Sequence, residues 1–197
     1  MRVSRVVCGA ALLGAVVSMP ALGQGNRGTP PSTVVSAVDA EISMLEKQLV
    51  GAAEAMPPER FDFTPESLNL KGSEFKGVRT FALQIKHVAA DNFSIWAPIA
   101  GEPEPPGVNA PAGPDAMKSR AEIIKFLKDS FIYAHKAARN LTAENLSGTV
   151  DFRGSKTTRL RQIVLAMAHG NDHYGQMVEY LRMNGVVPGA SQMKMPM

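Results

Sequence analysis

The chain has 197 residues, 45% of them hydrophobic and 20% charged, with a formal net charge of +3 at neutral pH. That length carries one domain with a single core. A lone cysteine, Cys8, excludes a disulfide framework and a cysteine-based metal site.

The first element along the chain reads as an export signal. "MRVSRVVCGAALLGAVVSMPALGQG" places Arg2 and Arg5 ahead of an uncharged, mostly apolar run, followed by Pro20 and the small-residue pattern Ala21-Leu22-Gly23. This layout predicts a signal peptide over 1–23 and a periplasmic or secreted protein. The apolar run falls short of the roughly 20 residues that span a bilayer, so no stable membrane insertion is expected after cleavage. Cleavage after Gly23 removes Arg2, Arg5 and Cys8, leaving 174 residues with a net charge of +1. A nucleic-acid partner needs a clustered excess of Lys and Arg, and none is expected here.

Residues 24–32, "QGNRGTPPS", read as a flexible leader. Val34, Val38, Ile42, Leu45, Leu49 and Ala52 then recur at steps of three and four, the period of a helix face. Pro57-Pro58 ends that helix. Thr80 is the expected N-cap of a second helix, "FALQIKHVAADNFSIWA", with Phe81, Ile85, Val88, Phe93 and Trp96 as its bulk and Pro98 as its stop. Six prolines between 98 and 114 make the next stretch neither helix nor strand. Ser119 and Glu122 form a capping box for a third helix striped by Ile123, Leu127, Phe131, Ala134, Ala138 and Leu141. "TAENLSGTVDFRGSKT" reads as a loop. A fourth helix carries Leu160, Val164, Met167, Tyr174, Val178 and Leu181 and closes at Asn184-Gly185.

Four long amphipathic segments without an evident strand predict an all-α four-helix bundle over 33–188, with a flexible tail over 189–197. The Pro-rich stretch is too long for a hairpin connection and predicts a crossover between helices two and three.

"HGNDHYGQMVEYLRMNG" holds two of the four histidines, four positions apart. Residues so spaced lie one turn above each other on one helix face, so His169 and His173 can aim at one ion. Two ligands rarely hold a metal tightly. The third donor is His87, His135 or a carboxylate. No Glu follows His169, which excludes the metalloprotease pattern with its general base between the ligands.

These residues resemble a known family. "HGNDHYGQMVEYLRMNGVVP" is similar to the last core helix of the DinB-like superfamily, which includes bacterial thiol S-transferases such as the bacillithiol transferases. "VRTFALQIKHVAADNFSIW" resembles that family's second helix, where a histidine follows an Arg-Thr-Phe start. The resemblance implies an up-down-down-up bundle and a site of three histidines, which here are His87, His169 and His173. It implies a divalent metal cofactor, and three neutral imidazoles suit zinc, nickel and iron alike. His135 matches no family ligand and reads as a structural or surface residue. Family habit also implies a homodimer.

The expected function is therefore that of an exported metal-dependent enzyme, performing thiol transfer or hydrolysis on an unidentified small molecule, with a thiol as one candidate. The alternative is a non-catalytic metal- or ligand-binding stress module. Asp91 and Asp172 are candidates to orient a ligand imidazole from behind, with Asp172 also fitting plain surface charge. Export separates the chain from the cytosolic thiols of the characterised transferases, so their substrate does not carry over.

Overall fold

The computed structural model describes residues 33–189, so the proposed signal peptide, the leader and all but the first residue of the tail lie outside the described residues. Four helices make up the body: α1 (Val34–Ala55), α2 (Phe81–Ala100), α3 (Arg120–Ala138) and α4 (Arg159–Met183). No helix among the described residues is long and apolar enough to cross a membrane.

Each helix begins where a hydroxyl side chain satisfies a free backbone donor. Thr33 and Ser36 cap each other at α1, Thr80 accepts from the Leu83 N–H at 3.2 Å, and Thr158 accepts from the Arg161 N–H at 3.2 Å. Ser119 and Glu122 form the expected capping box at α3. At the other end of α4, Gly185 adopts a φ of +73°. The Val186 and Gly185 N–H groups then return to the Leu181 and Arg182 carbonyls at 2.9 and 3.0 Å, closing the helix.

Hydrogen bonds between helices set their directions. Asn92 Nδ2 donates to Ser130 Oγ at 3.2 Å, and Asn140 Nδ2 donates to the Ala100 carbonyl at 3.1 Å, so α2 and α3 are parallel. Arg120, at the start of α3, donates to the Glu54 carbonyl near the end of α1 at 2.8 Å, so those two are antiparallel. Gln84 meets Gln176 at 2.8 Å while His87 meets His173 at 3.0 Å, which makes α2 and α4 antiparallel. The topology is up-down-down-up. α1 and α2 each pack against both α3 and α4. Because α2 and α3 run the same way, the Pro-rich stretch must return along the bundle, as a crossover.

The predicted stripes of α1 and α3 face the core, from Ile42, Leu45, Leu49 and Ala52 to Ile123, Leu127, Phe131 and Ala134. Leu127 is fully buried, and Leu127→Ala is expected to lower unfolding stability by about 2–5 kcal/mol in urea titrations. A loss under about 1 kcal/mol would show that this layer collapses around the deletion.

Three expectations need correction. Helix α2 does not stop at Pro98 but runs to Ala100 and ends at Gly101, whose φ is +71°. In the last turn proline forfeits only the bond to the Ser94 carbonyl, and the helix tolerates that. The stretch read as a loop contains a hairpin, β1 (Thr149–Phe152) and β2 (Ser155–Thr158), paired antiparallel with Phe152 opposite Ser155. Its two-residue turn places Arg153 and Gly154 at φ +48° and +78°, the mirror-image turn that tight hairpins use. The third correction is the face of α4. Leu160 and Val164 are 51% and 59% exposed, while Gln162, Ile163, Ala166, Gly170, His173 and Met177 are buried. At Gly170 an added Cβ would lie 3.0 Å from the Leu45 side chain, so the missing side chain is what lets α1 approach.

Candidate metal centre

α2 is the most enclosed helix, because α3 and α4 flank it and the crossover and hairpin reach it as well. Its buried residues therefore include Lys86, His87, Asp91, Asn92 and Ser94 beside the apolar ones. His87 faces the turn of α4 that carries His169 and His173. Antiparallel packing brings one imidazole from α2 against two from α4.

The three rings converge through their Nε2 atoms. His87 Nε2 lies 3.0 Å from His173 Nε2 and 3.2 Å from His169 Nε2. Ligand atoms of all three fall within 4.8 Å of one another, and ring centroids are 4.5–5.0 Å apart. Nitrogens bound to one ion at about 2.0–2.1 Å sit roughly 3.0–3.4 Å apart at the usual ligand angles. The three histidines are positioned to hold a metal ion.

The protons support this fit. His87 Nδ1 lies 2.6 Å from the Pro111 carbonyl, which can only accept, so Nδ1 carries the proton and Nε2 a lone pair. His173 Nδ1 donates to Gln176 Oε1 at 3.1 Å, leaving its Nε2 with a lone pair too. Gln176 is itself held on both sides, accepting from Gln84 Nε2 at 2.8 Å and donating to Asp172 Oδ2 at 2.9 Å. Two lone pairs thus face each other at 3.0 Å. Protonation does not relieve them at neutral pH, because burial, reinforced by His169 and His87, lowers the His173 imidazole to about 4. Burial also lowers His87, against the Pro111 carbonyl that favours its charged form. A divalent cation answers that donor set.

Gln176→Leu removes the acceptor that orients His173. Metal affinity is expected to fall about 10–100-fold, read by competition with a chromophoric chelator. A change under twofold would show that packing alone holds the ring.

Asp91 lies one turn beyond His87 and is 5% exposed. Its Oδ2 is 3.2 Å from His169 Nε2 and 3.9 Å from His87 Nε2, and its Oδ1 receives Arg153 Nη2 at 2.5 Å. Burial works against its ionisation. The bond to His169 and the Arg153 charge outweigh it and hold the carboxyl below the ordinary carboxylate range. Asp172 is exposed and meets the site through its hydrogen bond from Gln176, its charge favouring the protonated His173.

His135 stands apart. It bridges α3 to α1 through Asp39 at 2.6 Å and Glu46 at 3.3 Å, the first of the two roles, structural or surface, expected of it. Tyr180 packs on Phe63 and Phe81 and donates to the Arg79 carbonyl at 3.0 Å.

A cleft of about 730 Å³ opens between α2, α4 and the segment joining α1 to α2, and none of the three histidines is among its lining residues. Its lining includes Phe75, Val78, Arg79, Tyr180 and Met183, with Gln84 and Gln176 as the part that reaches toward His173.

Several contributors had escaped the sequence reading. The Pro111 carbonyl and the Arg153 side chain come from irregular segments, where no periodicity marks them. Gln176 carried a usable signal, since a residue three positions after His173 shares its helix face.

A four-helix bundle with parallel inner helices, joined by a long crossover and carrying a three-histidine cluster, defines the class. The DinB superfamily model matches residues 41–177, most of the chain, and the protein belongs to that superfamily. A crystal structure of a DinB-like protein from Bacillus cereus ATCC 10987 superposes with a TM-score of 0.63 at 16% identity. The match covers 81% of this chain and 99% of that one, and at this identity it speaks for the fold alone. No curated protein sequence matches the chain.

Proposed function

We propose that the protein is an exported, metal-dependent enzyme that performs thiol transfer or hydrolysis on a small molecule. One divalent ion, zinc, nickel or iron, is held by His87, His169 and His173. The observation that carries this reading is the convergence of three Nε2 atoms, with the Nδ1 protons of His87 and His173 committed elsewhere. The signal-peptide layout of 1–23 is the basis for export.

Such an ion supplies a nucleophile at neutral pH, by lowering the pKa of a bound water or thiol. The chain does the rest. Pro111 and Gln176 fix the imidazole tautomers, and burial of His87 and His173 keeps bulk water from competing for their lone pairs. The cleft that Gln84 and Gln176 border takes the apolar body of the substrate, with one cation and one anion, Arg79 and Glu179, in its lining.

The test is to purify the full chain, cleaved by its host, and screen thiol transfer and ester or amide hydrolysis with and without added ion. Ion-dependent turnover lost in His169→Ala supports the proposal. Stoichiometric ion without turnover, coupled to a large drop in melting temperature on chelation, favours the non-catalytic module, because a structural metal is folding energy.

A further inference from the structure

We propose that Asp91 is a fourth protein ligand of the ion, held in place by Arg153 of the hairpin. This rests on the three-histidine reading above and sharpens it from a donor set of three nitrogens to three nitrogens and one anionic oxygen.

The argument turns on which side of the ring the carboxylate occupies. A carboxylate that merely orients a ligand imidazole accepts the proton of the ring nitrogen pointing away from the metal. Asp91 does not sit there. Its Oδ2 lies 3.2 Å from His169 Nε2, the nitrogen that faces the other two rings. The far nitrogen, His169 Nδ1, is buried and has no hydrogen-bond partner among the described residues. Once Nε2 binds an ion it has no proton to give, so a contact at this distance is then between two donors of one centre.

The spacings agree. Donors bound at about 2.0–2.2 Å to one ion lie roughly 3–4.3 Å apart, depending on whether they are adjacent or opposite. Asp91 Oδ2 is 3.2 Å from His169 Nε2 and 3.9 Å from His87 Nε2, inside that span for both.

A buried carboxylate also needs compensation. Arg153 supplies it on one side only, binding Oδ1 and leaving Oδ2 turned to the histidines. Arg153 reaches Asp91 because it occupies the tip of the hairpin, beside Gly154. The two short strands therefore carry a purpose, which is to deliver a guanidinium to the back of a ligand.

With four protein donors a tetrahedral zinc would be closed to substrate, whereas a six-coordinate iron or nickel keeps two positions free.

Cobalt(II) titration of the full chain tests this, because its visible absorption reports ligand type and number. The wild type is expected to bind one equivalent with a defined spectrum. Asp91→Asn, which keeps the side-chain volume, and Asp91→Ala are expected to bind at least tenfold more weakly with a shifted spectrum. Millimolar formate should restore the wild-type bands in Asp91→Ala by placing a carboxylate in the vacated space. If Asp91→Ala fails to fold by circular dichroism, the Asn variant alone decides. An unchanged spectrum in a folded variant overturns the fourth ligand and leaves the three histidines standing. A wild type that binds no cobalt overturns both.

Discussion

His87→Ala is expected to strip the protein of its ion. Wild-type protein, grown with zinc, nickel and iron replete, should carry about one divalent ion per chain by elemental analysis, and the variant less than a tenth of that. His87 is the only imidazole that α2 brings to the cluster, whereas His169 and His173 share one helix face. Without it the nitrogen donors fall to two on a single helix, with the Asp91 carboxylate as the sole donor left on α2, and that reduced set is expected to lose the ion through purification. The ring is 7% exposed, so its removal also leaves a cavity. Circular dichroism and a melting curve are needed beside the metal analysis. His135→Ala is the internal control and should keep its full complement, since that ring pairs with Asp39 and Glu46 on α1 instead. Equal metal in His87→Ala and His135→Ala would place the ion somewhere other than the histidine cluster.

The second large effect is with pH. In the ion-free protein the His173 imidazole is lowered to about 4 from an unfolded value of 6.5, and His87 is lowered in the same direction. Between those values the unfolded chain binds protons that the folded chain refuses. Stability must therefore fall as pH drops from about 6.5 toward about 4. Asp91, lowered from 3.8, adds a further loss in the same direction at still lower pH. Metal binding follows the same logic. Because their protonation is suppressed, His87 and His173 should keep their lone pairs through mildly acidic conditions. Affinity should then drop by about tenfold per pH unit for each ligand that protonates. Since a bound ion at 100 times its Kd adds about 2.7 kcal/mol of stability, the melting temperature with excess metal should fall more steeply below pH 5 than without it. A midpoint of metal release near 6.5, the value of a free imidazole, would contradict the burial argument.

The bundle was legible because its helices are long and their punctuation is strong. Thr80, the Ser119–Glu122 pair and Asn184-Gly185 mark helix ends by chemistry that needs no tertiary context. The stripes of α1 and α3 were readable for the same reason, as both bury one apolar face. α4 misled because its buried face carries Gln162, Gly170 and His173, while Leu160 and Val164 point to solvent. A site helix inverts the usual pattern: function takes the inward positions, and hydrophobicity ceases to mark them. The hairpin was missed because four-residue strands are too short to show alternation, and Arg-Gly is not the Asn-Gly or Asp-Gly signal of a tight turn. For the candidate site, the His169–His173 pair was visible as spacing, and family resemblance singled out His87 over His135. Neither could reveal which nitrogen of each ring holds its proton. That depends on Pro111, 24 residues beyond His87, and on Gln176, itself held by Gln84 across the bundle.

The distance along the chain between the converging rings has a bearing on when the ion can be captured. His87 is separated from His169 by 82 residues and from His173 by 86. A growing polypeptide that has not yet reached α4 offers one of the three converging imidazoles. Loading must wait until the final helix docks antiparallel to α2, so the ion drawn in is the one that prevails wherever that docking happens. The surroundings at the moment of assembly, as much as the preference of the donors, then decide which element the finished molecule carries.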